Sequence, residues 1–205
     1  MSDRLMRWAQ RLQAMAQTGL EFSNDQYDIA RYHELRTIAA EMAAGTLADD
    51  PAYFDRQYAR EAGYATPKID VRGAAFRDDG ILLVRERSDG LWTLPGGWAD
   101  VGDTPAAAVE REIFEESGYT ARAIRVAAVY DRDRQGHAPI PYAVYKIFFI
   151  CELTGGAAAT DHETDDVGFF GEHALPPLSL SRTLPAQIGR MFGHYRNPHW
   201  ATDFD

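Results

Sequence analysis

The chain has 205 residues, of which 45% are hydrophobic and 12% aromatic, a composition that indicates a folded globular protein. Lysine and arginine number 21 against 31 aspartate and glutamate, so the formal charge is −10 and a basic surface for nucleic acid or an anionic membrane is not expected. The single cysteine excludes an internal disulfide and a cysteine-rich zinc site. Because we find neither a signal-peptide core nor an apolar run of membrane-spanning length, we expect a cytoplasmic protein.

The first 65 residues predict a small helical domain. Apolar residues at helical spacing indicate three helices, at 5–15, 29–42 and 51–60. Gly19 and Gly45 are the expected stops of the first two helices, and Asp50 followed by Pro51 is a typical start for the third. Three short helices bury little apolar surface alone, so we expect them to pack on the rest of the chain or on a second subunit.

Residues 66–205 mix strand and helix patterns. The dipeptide Asp79-Gly80 between two apolar runs predicts a β-hairpin, and Thr104-Pro105 predicts the start of a helix that ends at Gly118. Further strands are expected at 91–94, 122–131, 143–153 and 167–170, and a last helix at 185–194. This order favours an α+β or α/β sandwich.

The helix that follows Thr104 contains the segment EREIFEESG, which has four glutamates within seven residues. Glu112, Glu115 and Glu116 are spaced i, i+3, i+4 and share one helical face, where each pair of charges repels by a few tenths of a kcal/mol. A solvated acidic face with Arg111 paired to Glu115 is the commoner explanation of such a cluster. Gly97, shortly before the helix, lets the backbone approach a ligand and favours a site for an oxygen-liganded cation such as Mg²⁺.

The spacing of these residues resembles the Nudix box, G-x5-E-x7-R-E-U-x-E-E-x-G-U, in which U is a bulky apolar residue. Its fixed positions are matched by Gly97, Arg111, Glu112, Glu115, Glu116 and Gly118. Asp103 stands where the box usually has glutamate, and Tyr119 stands where it usually has an aliphatic residue. Nearly the whole chain is similar to one Nudix subgroup, in which a helical N-terminal domain precedes the hydrolase domain.

The resemblance implies an α+β fold, a Nudix α/β/α sandwich with a mixed sheet at 66–205, behind a helical domain at 1–65. It implies metal-dependent hydrolysis of the pyrophosphate bridge of a nucleoside diphosphate linked to another group. CDP-choline, giving CMP and phosphocholine, is the expected substrate, with ADP-ribose or a nucleotide sugar as the alternative. A non-catalytic nucleotide sensor is disfavoured because Glu112, Glu115 and Glu116 are all present. We expect a homodimer formed through the helical domain.

The resemblance assigns Mg²⁺ or Mn²⁺ ions to the acidic helix and the glycine loop before it. Glu112 and Glu116 are the implied principal ligands, Glu115 is implied as a further ligand, and the carbonyl of Gly96 or Gly97 could complete the set. These glutamates carry the catalytic charge, because bound ions neutralise the phosphates and activate water.

Other catalytic roles are less closely defined. Arg111 is expected either to hold one glutamate in place or to pair with a substrate phosphate. The family often takes one more acid from a loop past the central strands. Glu163 is our first choice and Asp166 our second, and the alternatives are Asp165, His162 and His137.

Substrate contacts are expected from a charged loop and from aromatic residues. The loop at 131–134 is either a solvated turn or a means of bringing Arg132 or Arg134 to a phosphate. Trp98 and Tyr130 could stack on a base, as could Tyr142 and Phe170, although most aromatic side chains of this kind belong to the core.

Overall fold

The computed structural model describes residues 2–205. The chain forms two compact units, one of residues up to Lys68 with Pro139–Ala143, and the other of Ile69–Ala138 with Val144–Asp205. The segment Pro139–Ala143 therefore groups with the helices, which the sequence did not indicate. The expected boundary at residue 65 stays a prediction.

The first unit contains three helices: α1 (Ser2–Phe22), α2 (Gln26–Leu47) and α3 (Pro51–Tyr58). The expectation that Gly19 and Gly45 end helices was wrong, because α1 and α2 continue past both. A Cβ at Gly19 would lie 2.3 Å from the Tyr32 ring, so this glycine permits close packing of α1 on α2. Asp50 caps α3 as expected, since its carboxylate accepts a hydrogen bond from the Ala52 N–H.

The second unit is built from seven strands, two helices and one 3-10 turn. The strands are β1 (Lys68–Arg77), β2 (Gly80–Glu86), β3 (Trp92–Thr93), β4 (Tyr119–Asp131), β5 (Val144–Gly156), β6 (Thr164–Phe170) and β7 (Asp203–Phe204). The helices are α4 (Pro105–Ser117) and α5 (Pro185–Arg196), and the turn is Arg132–Arg134. The sheet order is β3-β2-β1-β5-β4-β7, with β6 on β2. The two-residue strand β7 pairs parallel to β4 and was too short to predict.

The hairpin between β1 and β2 turns one residue earlier than expected. Asp78 and Asp79 have φ of 48° and 60°, and Arg77 pairs with Gly80. A two-residue hairpin turn of type I′ needs positive φ at both central residues, which aspartate tolerates better than most residues. Gly80 lies within the sheet, where an added Cβ would be 3.0 Å from the Cβ of Phe169.

Alternate residues of β2 face two cores. Ile81 and Leu83 belong to a buried cluster with α5, while Leu82 belongs to a second cluster with α4. Since successive strand residues point to opposite faces, the sheet lies between the two helices. The expected α+β fold with a mixed sheet is confirmed. Between residues 2 and 205, no helix is both long and apolar enough to cross a membrane.

Candidate active site

The glycine loop before α4 is held against β1 by its backbone. The N–H of Val71 donates to the Gly97 carbonyl at 2.8 Å, and the N–H of Gly73 donates to the Pro95 carbonyl at 2.9 Å. Gly96, between them, has φ of 140°, and a Cβ there would lie 2.0 Å from the Val71 carbonyl oxygen. Only glycine fits this position, for both conformational and steric reasons.

Helix α4 is fixed at both ends by the residues that the sequence indicated. The Thr104 hydroxyl accepts a hydrogen bond from the Ala107 N–H at 3.1 Å, and Gly118 ends the helix in the left-handed conformation. Val109 and Ile113 are buried in the core. This orientation determines where each glutamate of the helix points.

Glu116 lies beneath the glycine loop and is only 4% exposed. Its Oε2 accepts a hydrogen bond from the Gly96 N–H at 2.9 Å. Burial raises the pKa of Glu116 to about 8, and the negative charges of Glu112 and Glu86 act in the same direction. A carboxylate in this position gains from any added positive charge.

Glu112 lies one turn earlier, against the same loop. Its Oε2 is 3.1 Å from where a Cβ on Gly97 would lie, so the lack of a side chain there makes room for the carboxylate. Burial also raises the pKa of Glu112, and Glu115 adds to the effect, while Arg111 opposes it.

Arg111 forms ion pairs with the acidic side chains around it. Its guanidinium lies 2.9 Å from carboxylate oxygens of both Glu112 and Glu115, 3.2 Å from Asp103 and 3.5 Å from Asp100. The shorter side chain of Asp103 thus still reaches this arginine. Glu115 is half-exposed and points to Arg111, so the three box glutamates do not share one environment.

Glu112, Glu116 and the glycine loop fit a divalent cation in part. Glu112 and Glu116 are crowded carboxylates beside a backbone loop, which is the donor chemistry that Mg²⁺ prefers. The Gly97 carbonyl already accepts a hydrogen bond, which leaves one lone pair. Within the described part of the chain, no three acidic, histidine or cysteine side chains are already spaced around a common point. The metal-ligand roles therefore stay predictions.

The loop before β6 meets the end of α4. The Thr164 hydroxyl donates to the Glu116 backbone carbonyl at 2.8 Å, which brings the adjacent Glu163 into the region of the site. Glu163 is largely exposed, with its Oε1 3.4 Å from His162. By contrast, Asp165 and Asp166 both pair with Arg85.

His137 and Arg132 are buried and occupied by structural hydrogen bonds. His137 bonds through Nδ1 to the Leu180 carbonyl and through Nε2 to Gln187. Burial lowers the pKa of His137 to about 4. Arg132 donates to the carbonyls of Ala138 and Ser181, whereas Arg134 is exposed.

The aromatic candidates for base stacking also include both accessible and buried side chains. Trp98 is half-exposed and forms an isolated bridge with Asp70 beside the glycine loop. Tyr130 packs on Phe148 in the core, and its hydroxyl bonds to Asp203. Tyr142 belongs to the first unit, and Phe170 packs on Trp92. Trp98 is therefore the candidate beside the loop whose ring is accessible for stacking.

Sequence reasoning missed four charged residues near the loop: Asp70, Arg72, Glu86 and Lys146. Although burial works against the charged guanidinium of Arg72, the acids Asp70, Glu116 and Glu86 raise its pKa. The sequence did contain a signal for the burial of Asp70 and Arg72, because alternation along β1 places them on the same face as the buried Ala74. Glu86 at the end of β2 carried no comparable signal.

The fold and this site define a class of protein. In this α+β sandwich a glycine loop closes over the buried glutamate of a capped helix, which places a carboxylate beside backbone groups that a ligand can approach. A family model described as a NUDIX domain matches residues 66–189, and one described as a UDP-X-like, N-terminal oligomerisation domain matches residues 3–53. The chain belongs to the Nudix hydrolase family and is a pyrophosphohydrolase with this N-terminal domain.

Relatives extend over both units. The Bacillus subtilis (strain 168) protein named "Putative ADP-ribose pyrophosphatase YjhB" is 48% identical over 96% of this chain and 95% of its own length. A solved structure of a UDP-X diphosphatase is 32% identical with a TM-score of 0.65, covering 100% of this chain and 99% of that chain. An ADP-ribose pyrophosphatase from Streptococcus suis 89-1591 is 41% identical with a TM-score of 0.63, covering 68% of this chain and 100% of that chain.

Proposed function

We propose that this protein hydrolyses ADP-ribose to AMP and ribose 5-phosphate with Mg²⁺ or Mn²⁺. The observation that supports ADP-ribose as the substrate is the 48% identity, over nearly the whole length of both chains, to a relative named for ADP-ribose. CDP-choline remains the substrate predicted from the sequence, and a UDP-linked compound is a further candidate because of the likeness to a UDP-X diphosphatase.

The reaction is a displacement at phosphorus. A water oxygen forms a new bond to one phosphorus, the bond from that phosphorus to the bridging oxygen breaks, and the bridging oxygen leaves on the other phosphate. Divalent ions, when bound, supply charge neutralisation and lower the pKa of a coordinated water. In our proposal Glu112 and Glu116 hold the ions, Arg111 orients Glu112 and Glu115, and Glu163 accepts the proton from water.

A substrate panel tests this proposal. The full chain is incubated with ADP-ribose, CDP-choline or UDP-glucose, with Mg²⁺, with Mn²⁺ or with EDTA, and the products are identified by chromatography. We expect AMP from ADP-ribose as the fastest reaction and a loss of turnover with EDTA. Turnover of CDP-choline alone would move the substrate to the sequence-based choice, and full activity in EDTA would contradict the metal-dependent mechanism.

We also propose that the helical unit forms a homodimer. The matched N-terminal model describes an oligomerisation domain. On α1, Trp8, Met15 and Phe22 recur every seven residues and are 42%, 54% and 67% exposed. Apolar side chains repeated in this way along one helical face are typical of helix–helix interfaces between subunits.

Light scattering of the full chain tests the dimer. The double variant Met15→Glu, Phe22→Glu is expected to run as a monomer because it places two charges in the apolar stripe. Ile124→Glu is the matched control, since Ile124 is a similarly exposed apolar residue on β4. A double variant with the same mass as the unaltered protein would rule out this face.

A further inference from the structure

Three charged side chains from two strands are buried together beneath the glycine loop. Asp70 and Arg72 lie on β1, and Lys146 lies on β5. The Arg72 Nε and Nη2 donate to the two Asp70 carboxylate oxygens at 2.9 and 2.8 Å, and the Lys146 Nζ donates to Asp70 Oδ1 at 2.7 Å. Asp70 is 7% exposed, Arg72 4% and Lys146 1%.

The remaining terminal nitrogen of Arg72 connects this cluster to the loop. Its Nη1 donates to the Leu94 carbonyl at 3.1 Å, immediately before Pro95 and Gly96. The Gly96 N–H then donates to the carboxylate of Glu116. A continuous chain of contacts therefore leads from Lys146 through Asp70 and Arg72 to the loop that binds Glu116.

Fold stability alone does not account for the cluster. Burying charges costs several kcal/mol per ion, and well-packed apolar residues of similar volume are often at least as stabilising as a buried ion pair. Neighbouring positions on the same face, Ala74 of β1 and Phe148 of β5, are apolar core residues. The charges are retained at the end of the strands where the glycine loop lies.

We infer that Asp70, Arg72 and Lys146 form a positioning unit that holds the Leu94–Gly97 loop in the geometry needed by Glu116. Arg72 requires its planar fork, because one guanidinium bridges a carboxylate and a carbonyl. Asp70 and Lys146 fix the orientation of that fork. These residues act through the loop and not on the substrate. The inference deepens the proposed function and rests on it for its effect on activity.

The test separates the fork of Arg72 from its charge. Arg72→Lys keeps the charge but loses the bridge, and Lys146→Met removes the far end of the chain of contacts. Arg122→Lys is the matched control, because Arg122 forms an exposed pair with Glu152. The readouts are the Mn²⁺ dissociation constant by calorimetry, kcat and KM for the active substrate, and hydrogen exchange at the Gly96 amide by NMR.

In Arg72→Lys we expect Mn²⁺ affinity and kcat to fall about tenfold or more, with a smaller change in KM, because the supporting shell of a metal site typically contributes this much. Gly96 exchange should accelerate, while Arg122→Lys should match the unaltered protein. Lys146→Met should change the same quantities in the same direction, and it decides the question if Arg72→Lys does not fold.

Folded variants with Mn²⁺ affinity within twofold of the unaltered protein and unchanged Gly96 exchange would overturn the inference. If the unaltered protein neither binds Mn²⁺ nor hydrolyses any substrate, the proposed function fails. Gly96 exchange then still decides the positioning role, since it needs no metal: faster exchange supports it, and equal exchange contradicts it.

Discussion

Glu115 and Glu116 are neighbours in sequence but lie in opposite environments. Glu115 is half-exposed and paired with Arg111, on what we call the outer rim, which also includes Asp100 and Asp103. Glu116 is buried under Gly96, in what we call the inner site. One helical position rotates a side chain by about 100°, which is enough to move a carboxylate from solvent to beneath the loop. Identical chemistry in one motif therefore does not imply an identical role, and changes in the inner site should have the larger effects.

The largest effect is expected at the loop. In Gly96→Ala the new Cβ would meet the Val71 carbonyl at a positive φ, so we expect the free energy of unfolding to fall by about 4 kcal/mol. Urea denaturation measures this change. Gly45→Ala is the control, because a Cβ there meets nothing within 4 Å in α2, and a gain of up to about 1 kcal/mol is expected. A Gly96→Ala loss below about 1 kcal/mol would show that the loop relaxes easily.

Glu116→Gln should lower kcat by about 10²-fold or more, because it removes a buried charge that we assign to the metal ions. Steady-state kinetics on the active substrate measures this loss. Glu152→Gln is the control, since Glu152 is exposed on β5 and paired only with Arg122 among the contacts described for it. Turnover comparable to that of the unaltered protein would contradict the role of Glu116.

Acid should destabilise the protein through His137. The pKa of His137 is lowered to about 4 by burial, with Lys146 and Arg132 acting in the same direction and Asp70 opposing them. The unfolded chain, with a histidine pKa of about 6.5, therefore binds more protons between these values, and stability falls as the pH decreases.

This difference in the pKa of His137 lowers the free energy of unfolding by about 2 kcal/mol when the pH falls from 7 to 5. Urea denaturation of the unaltered protein and of His137→Gln at both pH values measures it, because glutamine does not titrate. We expect the pH dependence to shrink by this amount in His137→Gln. Equal pH dependence in the two proteins would show that His137 is not held neutral.

The smallest effect is expected on the outer rim. Glu115→Gln loses a half-exposed ion pair with Arg111, which contributes at most about 1 kcal/mol to stability. We expect kcat to fall by tenfold or less, measured alongside Glu116→Gln. A loss as large as that of Glu116→Gln would mean that the rim closes onto the metal ions during the reaction.

Much of the acidic helix could be predicted from local sequence. Thr104, Pro105 and Gly118 fix its ends through short-range hydrogen bonds and backbone preferences, so the structure has the predicted bounds. Glycines gave less reliable information. Gly19 resembles a helix stop, but its role is to permit close contact with Tyr32 of the next helix. No local sequence pattern encodes such a contact.

The sequence by itself determined the fold class, the capped helix and the family, because these depend on periodicity, caps and motif spacing within short stretches. The tertiary structure alone decided which glutamate is buried, that Arg132 and His137 are tied to backbone and core partners, and that Lys146 meets Asp70 from a strand 76 residues away. Burial and charge pairing depend on which strands become neighbours, and that is settled only when the whole sheet forms.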